Sequence, residues 1–228
     1  MTRPLVVFGN GEIGEVAQYY FENDGDRKVE AFVADGDRIQ ESTFCDRSVV
    51  AFEEITKSYP PDRFDMFVAL SYAKLNGVRQ TKYDQAKAMG YALASYISPK
   101  SVCAKNATFG ENCFILENQT VQPFCDIGNN VTLWSGNHIG HHSTIGDHTF
   151  ISSHVVVSGM CTIGQRCFFG VNAAFRDGCT VGDGVFVGMG ASVTKDVADG
   201  EMVLGKADEI IAADDRRARA IRRSYFGL

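Results

Sequence analysis

Residues 139–163 read IGHHSTIGDHTFISSHVVVSGMCTI, with an apolar residue at every sixth place: Ile139, Ile145, Ile151, Val157 and Ile163. The same spacing runs without a slip from Ile97 to Val193, seventeen positions in all, and glycine follows eight of them. Four residues after each apolar position comes a second, mostly smaller set, including Ser101, Ala107, Cys113, Cys125, Ser143, Val155, Ala173 and Ala191. A period of six is neither that of a helix nor that of a strand. It suits a solenoid of triangular section, in which the large residue fills the interior of each flat side and the small one fits the corner. Three hexapeptides close one 18-residue coil, and coils stack at about 4.8 Å, the spacing of paired strands.

This register decides the cysteines. Cys113, Cys125, Cys161, Cys167 and Cys179 fall on the small inward position and Cys103 on the large one. They are expected to be buried free thiols, as in a reducing, cytoplasmic setting. Gln119 and Asn137 take inward positions eighteen residues apart and therefore stack. Buried amides need partners, so they are expected to bond each other or the backbone. The repeat is expected to stop at Asp199, where an apolar residue was due. Residues 206–228 read as one helix with Arg216, Arg217, Arg219, Arg222 and Arg223 late, an order that suits the helix dipole. Such a helix could cap the open solenoid end, or its arginines could grip a phosphate.

Residues 1–96 have a different grammar. The apolar runs PLVVFG, VEAFVAD and DMFVAL alternate with helical spacing in EIGEVAQYYFEND and from Ala73 to Met89. That alternation predicts a small Rossmann-like α/β domain with a parallel sheet. Its first turn reads Gly9-Asn10-Gly11-Glu12-Ile13-Gly14, between strand and helix, and Asp35 closes the second strand. Glycines there permit close backbone approach, the helix start offers N–H groups to a phosphate, and the carboxylate can accept from a ribose. The plainer alternative is a glycine turn that only packs helix on strand. Glu12 and Glu15 stand beside the same turn and oppose an anion. About 95 residues leave no room for a separate dehydrogenase catalytic domain.

The five histidines all lie within 138–154, and none is at an inward position. His142, His148 and His154 are six apart, so they are expected to leave three different corners and to bind no common metal within one chain. His141 has Gly159 stacked above it one coil later. An imidazole beside an unobstructed backbone N–H suits acyl transfer: the base takes a proton from a nucleophile, and the N–H stabilises the oxyanion.

Apolar residues make up 45% and charged residues 22%, as in ordinary globular proteins, and the net charge of −6 argues against nucleic-acid binding. No window approaches the ~18 apolar residues of a membrane span, and the N-terminal apolar run is too short for a signal peptide.

A short GxGxxG α/β domain followed by a hexapeptide solenoid resembles the NeuD/PglD family of bacterial sugar acetyltransferases, over residues 4–205. Their active-site segment, H-[DE]-x-x-I-G, is matched by His141-His142-Ser143-Thr144-Ile145-Gly146. The resemblance implies a left-handed parallel β-helix over 97–205 and an acetyl-CoA-dependent enzyme without a metal. It also implies a cytoplasmic homotrimer of polysaccharide biosynthesis, with CoA in a groove between two solenoids. The substrates it implies are amino groups of nucleotide-linked sugars or, alternatively, hydroxyls of sialic acid. By the same resemblance His141 is the general base, Gly159 supplies the N–H facing the thioester, and Gly9, Asn10, Gly11, Gly14 and Asp35 contact the nucleotide sugar.

Three residues depart from the pattern. His142 replaces the acid that orients the base, which leaves Asp126, Glu117 or the backbone for that role. Trp134 replaces an amide expected to touch the acceptor, and Ile13 replaces a loop histidine. Two readings of other classes remain: a trimeric zinc hydratase using interfacial histidines, as in the carbonic anhydrases of this fold, and a nonenzymatic nucleotide-sugar binding protein.

Overall fold

The computed structural model describes residues 2–206 and 211–226. In the N-terminal region β1 (Leu5–Phe8), β2 (Val29–Ala34), β4 (Arg47–Ala51) and β5 (Asp65–Val68) form a parallel sheet, edged by the antiparallel β3 (Thr43–Phe44). The order is β3-β4-β2-β1-β5. Every residue of β1 and β5 is buried, as expected of central strands covered on both faces. The β3–β4 hairpin was not anticipated: its strands are short and only half buried, and they lack the apolar run that marks β1.

Helix α1 (Glu12–Tyr19) follows the glycine turn; the short α2 (Ile55–Ser58) precedes β5 and α3 (Gly77–Ala88) follows it. Helix α3 starts later than the helical spacing from Ala73 suggested. Lys74, Leu75 and Asn76 all have positive φ and form a turn instead. Arg79, Tyr83 and Ala86 make up the buried stripe of α3.

From Tyr96 the chain forms two-residue strands separated by turns, and each strand up to Ala174–Phe175 pairs in parallel with the one eighteen residues on. Three sheets of seven, six and five strands result among the described residues. The inward series forms one continuous apolar core from Cys113 to Val197. Five of the expected inward cysteines are buried, Cys103 is half buried, and all seven are free thiols. Gln119 and Asn137 bond mainly to backbone: Gln119 Nε2 donates to Trp134 O at 2.7 Å, and Val155 N donates to Asn137 Oδ1 at 2.7 Å.

The six-residue spacing breaks before Asp199, as expected, but the solenoid continues past it. A last strand, Met202–Val203, pairs with Phe186–Val187 in a shortened, 16-residue register. Ile97, in the open first coil, remains 39% exposed although its position is inward. The expected C-terminal helix is shorter than 206–228: α4 spans Arg216–Phe226, residues 211–215 are turn or irregular instead, and 207–210 and 227–228 lie outside the described residues.

The two regions share a core. Leu5, Val7, Phe21, Phe67, Tyr96, Phe114 and Leu116 form one buried cluster spanning the sheet and the first solenoid face. Polar contacts fix the orientation. Asn112 Oδ1 accepts from Val68 N at 2.8 Å, and Tyr20 Oη donates to Glu117 Oε2 at 2.7 Å. The fully buried Arg79 donates to Asn130 and, at 2.8 Å, to His148 O. Of the three solenoid corners, α3 covers the one at 146–149, and the helical turn that continues α1 (Tyr20–Asp24) meets the one at 134–137 through Glu117. The corner at 140–143 makes no described hydrogen bond or ring contact with the N-terminal domain.

Candidate active site

A cavity of about 570 Å³ opens over the glycine turn, lined by Phe8, Gly9, Asn10, Gly11, Asp35, Arg38, Tyr72 and Lys82 among others. Gly9 adopts φ +122°, where a Cβ would also strike Ala69 O at 2.5 Å. Gly14 does not line the cavity. A Cβ there would lie 2.0 Å from Gly9 O, so this glycine lets α1 pack against the turn. The start of α1 has Gly11 as its N-cap and no side-chain cap, which leaves its first N–H groups at the cavity mouth. Two cations, Arg38 and Lys82, face this space; neither was expected, since they come from separate segments. Asp35, expected to accept from a ribose, forms an ion pair with Lys82, whose Nζ also lies 5.2 Å and 5.0 Å from the Phe8 and Phe52 ring centroids.

Trp134 lines an adjoining hollow with Ile13, Ser71, Tyr72, Phe150 and Ser152. Ile13, Ser71 and Tyr72 border both spaces, so the tryptophan stands next to the glycine-turn cavity. It stacks on Phe150 at 6.1 Å, and Phe150, Phe168 and Phe186 continue the stack up the same face.

His141 and Gly159 sit together on the remaining corner. The imidazole lies against the glycine: a Cβ on Gly159 would be 3.0 Å from both Cε1 and Nε2 of His141. The His141 backbone N donates to Gln122 Oε1 at 2.9 Å, and its Nδ1 lies 3.1 Å from Nδ1 of His142. His142 stacks on Phe124 at 4.6 Å. Neither candidate acid reaches His141: Asp126 accepts from Thr108, and Glu117 from Tyr20 and Ser135.

Two expectations need correction here. The Gly159 N–H is not free, because it donates to Asp177 Oδ1 at 2.8 Å. The stacking 141–159–177 is the signal that would have revealed Asp177. The five histidines are also not all solvated. His148 is buried beneath Arg79 and Tyr83, with Nδ1 2.9 Å from Asn130 Nδ2, and burial pushes its pKa below the ordinary histidine value. Among the described residues no group of three His, Cys, Asp or Glu side chains is placed to hold a metal ion, and no helix is long and apolar enough to cross a membrane.

No residue of the His141 corner lines either hollow over the N-terminal domain. Within one chain, therefore, the candidate residues fall into two separate groups: Gly9, Asn10, Gly11, Asp35 and Trp134 around the hollows, His141 and Gly159 at the other corner.

Comparison with known proteins agrees with this architecture. The family described as bacterial transferase hexapeptide (six repeats) matches residues 124–159, and the hexapeptide repeat of succinyl-transferase matches 161–195. These repeats and the fold make the chain an acyltransferase of the hexapeptide class. Among solved structures it is similar to the acetyltransferase domain of PglB from Neisseria gonorrhoeae, at 26% identity and a TM-score of 0.79, covering 92% of this chain and 100% of that one. The fold is also that of PerB from Caulobacter crescentus, solved with CoA and GDP-perosamine: 22% identity, TM-score 0.80, coverage 93% and 99%. WeeI from Acinetobacter baumannii superposes with a TM-score of 0.64 at 20% identity, over 92% and 100% of the two chains. Curated protein sequences give no match. The chain thus shares its hexapeptide repeats and its parallel β-helix architecture with these acetyltransferases.

Proposed function

We propose that this protein transfers the acetyl group of acetyl-CoA to the amino group of a nucleotide-linked sugar, with His141 as general base. The observation that carries the reading is the His141 imidazole resting against Gly159 on an exposed corner, with its Nε2 at the glycine. The PglB domain has been solved with acetyl coenzyme A and PerB with CoA and GDP-perosamine, which supports the donor and the class of acceptor. The cavity at the glycine turn supports the nucleotide, with Arg38 and Lys82 as counter-charges to phosphate and Trp134 as a flat wall toward the sugar.

His141 Nε2 takes a proton from the sugar amine as its nitrogen attacks the thioester carbonyl. The C–N bond forms, the C–S bond breaks, and CoA leaves as the thiolate, which the imidazolium proton can neutralise. Oxyanion stabilisation by Gly159 requires the acyl donor to displace the Asp177 carboxylate from its N–H. Because the two groups lie apart in one chain, the working site is shared: His141 of one protomer meets the cavity of its neighbour in a homotrimer. Buried free thiols support a reducing, cytoplasmic setting.

The test is thiol release from acetyl-CoA across a panel of nucleotide-linked amino sugars, with His141→Ala as the variant. Turnover is expected to fall by about 10²–10⁴, the usual worth of a general base, while calorimetry shows CoA binding retained. Undiminished turnover in the variant would sink the assignment.

A further inference from the structure

His142 stands where the resembling enzymes carry an acid, and its geometry gives it a definite task. Its turn position is left-handed, with φ 57°, its ring is braced on Phe124, and its Nδ1 faces Nδ1 of His141 at 3.1 Å. The rings are nearly perpendicular, at 87°. A contact between two such nitrogens holds one hydrogen, so one must donate and the other accept.

We infer that His142 is the positioning residue for His141, and that the two imidazoles work as a single base sharing one proton between their Nδ1 atoms. The inference rests on His141 being the base. In the productive arrangement His141 Nδ1–H donates to His142 Nδ1, which leaves the lone pair of His141 on Nε2, the atom against Gly159. The reversed arrangement places the hydrogen on Nε2 and removes the base. A carboxylate accepts in one sense only, so it permits no reversal in the working pH range. A histidine does permit it, because a neutral imidazole can either donate or accept at Nδ1.

The groups facing the pair are few. Gln122 holds the His141 backbone, Phe124 covers one face of His142, and Asp177 supplies the nearby carboxylate from the coil above, engaged with Gly159 N. Asp126 is turned to Thr108.

Two substitutions separate this role from a structural one, because the turn position itself tolerates them. Asn occupies it at Asn112, Asn118, Asn130 and Asn172, and Gly at Gly136, Gly178, Gly184 and Gly190, so His142→Asn and His142→Gly both fit the left-handed turn. Long-range ¹H–¹⁵N NMR of the full chain without ligands reads the tautomer directly. Neutral His141 is expected as Nδ1–H in the native protein and in His142→Asn, whose carbonyl still accepts. It should revert to the Nε2–H form, the usual preference of a free imidazole, in His142→Gly. Turnover in His142→Gly should fall by about 10- to 100-fold, the worth of a hydrogen bond to a group that becomes charged, and His142→Asn should recover most of it.

An Nε2–H tautomer of His141 in the native protein overturns the inference, and so does a His142→Gly variant with unchanged tautomer and turnover. The NMR arm is independent of the reaction. A native Nδ1–H tautomer together with an active His141→Ala enzyme therefore rejects the base assignment and leaves the pairing intact.

Discussion

His142 and His148 hold the same place in consecutive hexapeptides, with φ of 57° and 63°. From Asn112 to Gly190 that place is left-handed in every repeat, and it carries Asn, Gly or His at most turns. Histidine is among the side chains enriched in this conformation, which accounts for three of the clustered imidazoles without any metal or reaction. Their surroundings then separate them. His148 lies under α3, 6% exposed, whereas His142 is exposed at a corner that α3 does not reach. The covered corner is a joint, and the open one carries the proposed base. Phe124 and Met160 sharpen the contrast: they are bulky, exposed and left-handed beside His142, where the covered corner uses Asn112 and Asn130.

The largest way to break the comparison at the covered corner is to remove Arg79. Its guanidinium is buried without a carboxylate partner, and desolvation lowers its pKa to about 9. It is retained by acceptors: Asn130, Asn76 Oδ1 at 3.0 Å and His148 O at 2.8 Å. Arg79→Met relieves the desolvation but orphans those acceptors, at about 1–3 kcal/mol each before relaxation. A net loss of about 2–4 kcal/mol is expected, or a Tm drop of roughly 5–15 °C by circular dichroism. Arg79→Lys should recover little, since one ammonium cannot reproduce the fork. An unchanged Tm in Arg79→Met would show that the joint rests on the apolar cluster alone.

A smaller effect comes from His148. Asn130 Oδ1 already accepts from Arg79 and from Asn112 Nδ2, so its Nδ2 must donate, and His148 Nδ1 must be an acceptor. Burial lowers the pKa of His148 in the folded state. As the pH falls through the ordinary histidine range near 6.5, the unfolded chain gains a proton that the folded chain refuses. The stability contribution is present above that range, is lost as pH drops toward the folded pKa, and is constant below it. His148→Asn, compatible with the left-handed turn, should remove this loss. Thermal unfolding of both proteins between about pH 5 and 8 would then give curves that converge on the acid side, whereas parallel curves would refute the linkage.

What could be read from the sequence follows from how local each signal is. The solenoid register needs only residues six and eighteen apart, so the core series, the cysteines and the stack of Gly159 on His141 were all legible. The left-handed place was not read, although Asn112, Asn118, Asn130 and Asn172 recur there at multiples of six. Arg79 with Asn130, or Lys82 with Asp35, joins residues brought together only by the docking of α3, and no periodicity marks them. The β3–β4 hairpin was missed because half-buried edge strands have a weak alternation.

Asp177 carries the smallest effect, and the one that bears most closely on the chemistry. At another corner the side chain of each coil caps the backbone N–H of the coil below: Glu111 by Asn129, Asn129 by Asp147 and Gln165 by Asp183, at 2.7–3.1 Å. Asp177 does the same to Gly159 at 2.8 Å. The bond is thus part of the solenoid's ordinary ladder, set at the point where an oxyanion donor is wanted. If the acyl donor must displace that carboxylate, Asp177→Ala should lower the KM for acetyl-CoA by about 2- to 10-fold, the net worth of one hydrogen bond to a solvent-exposed acceptor. Asp177→Asn keeps an acceptor and should stay near the native value. Steady-state kinetics on the two variants decides the matter. A KM that is unchanged in Asp177→Ala means that the Gly159 N–H never reaches the thioester, and that His141 with its histidine partner does the work at this corner without it.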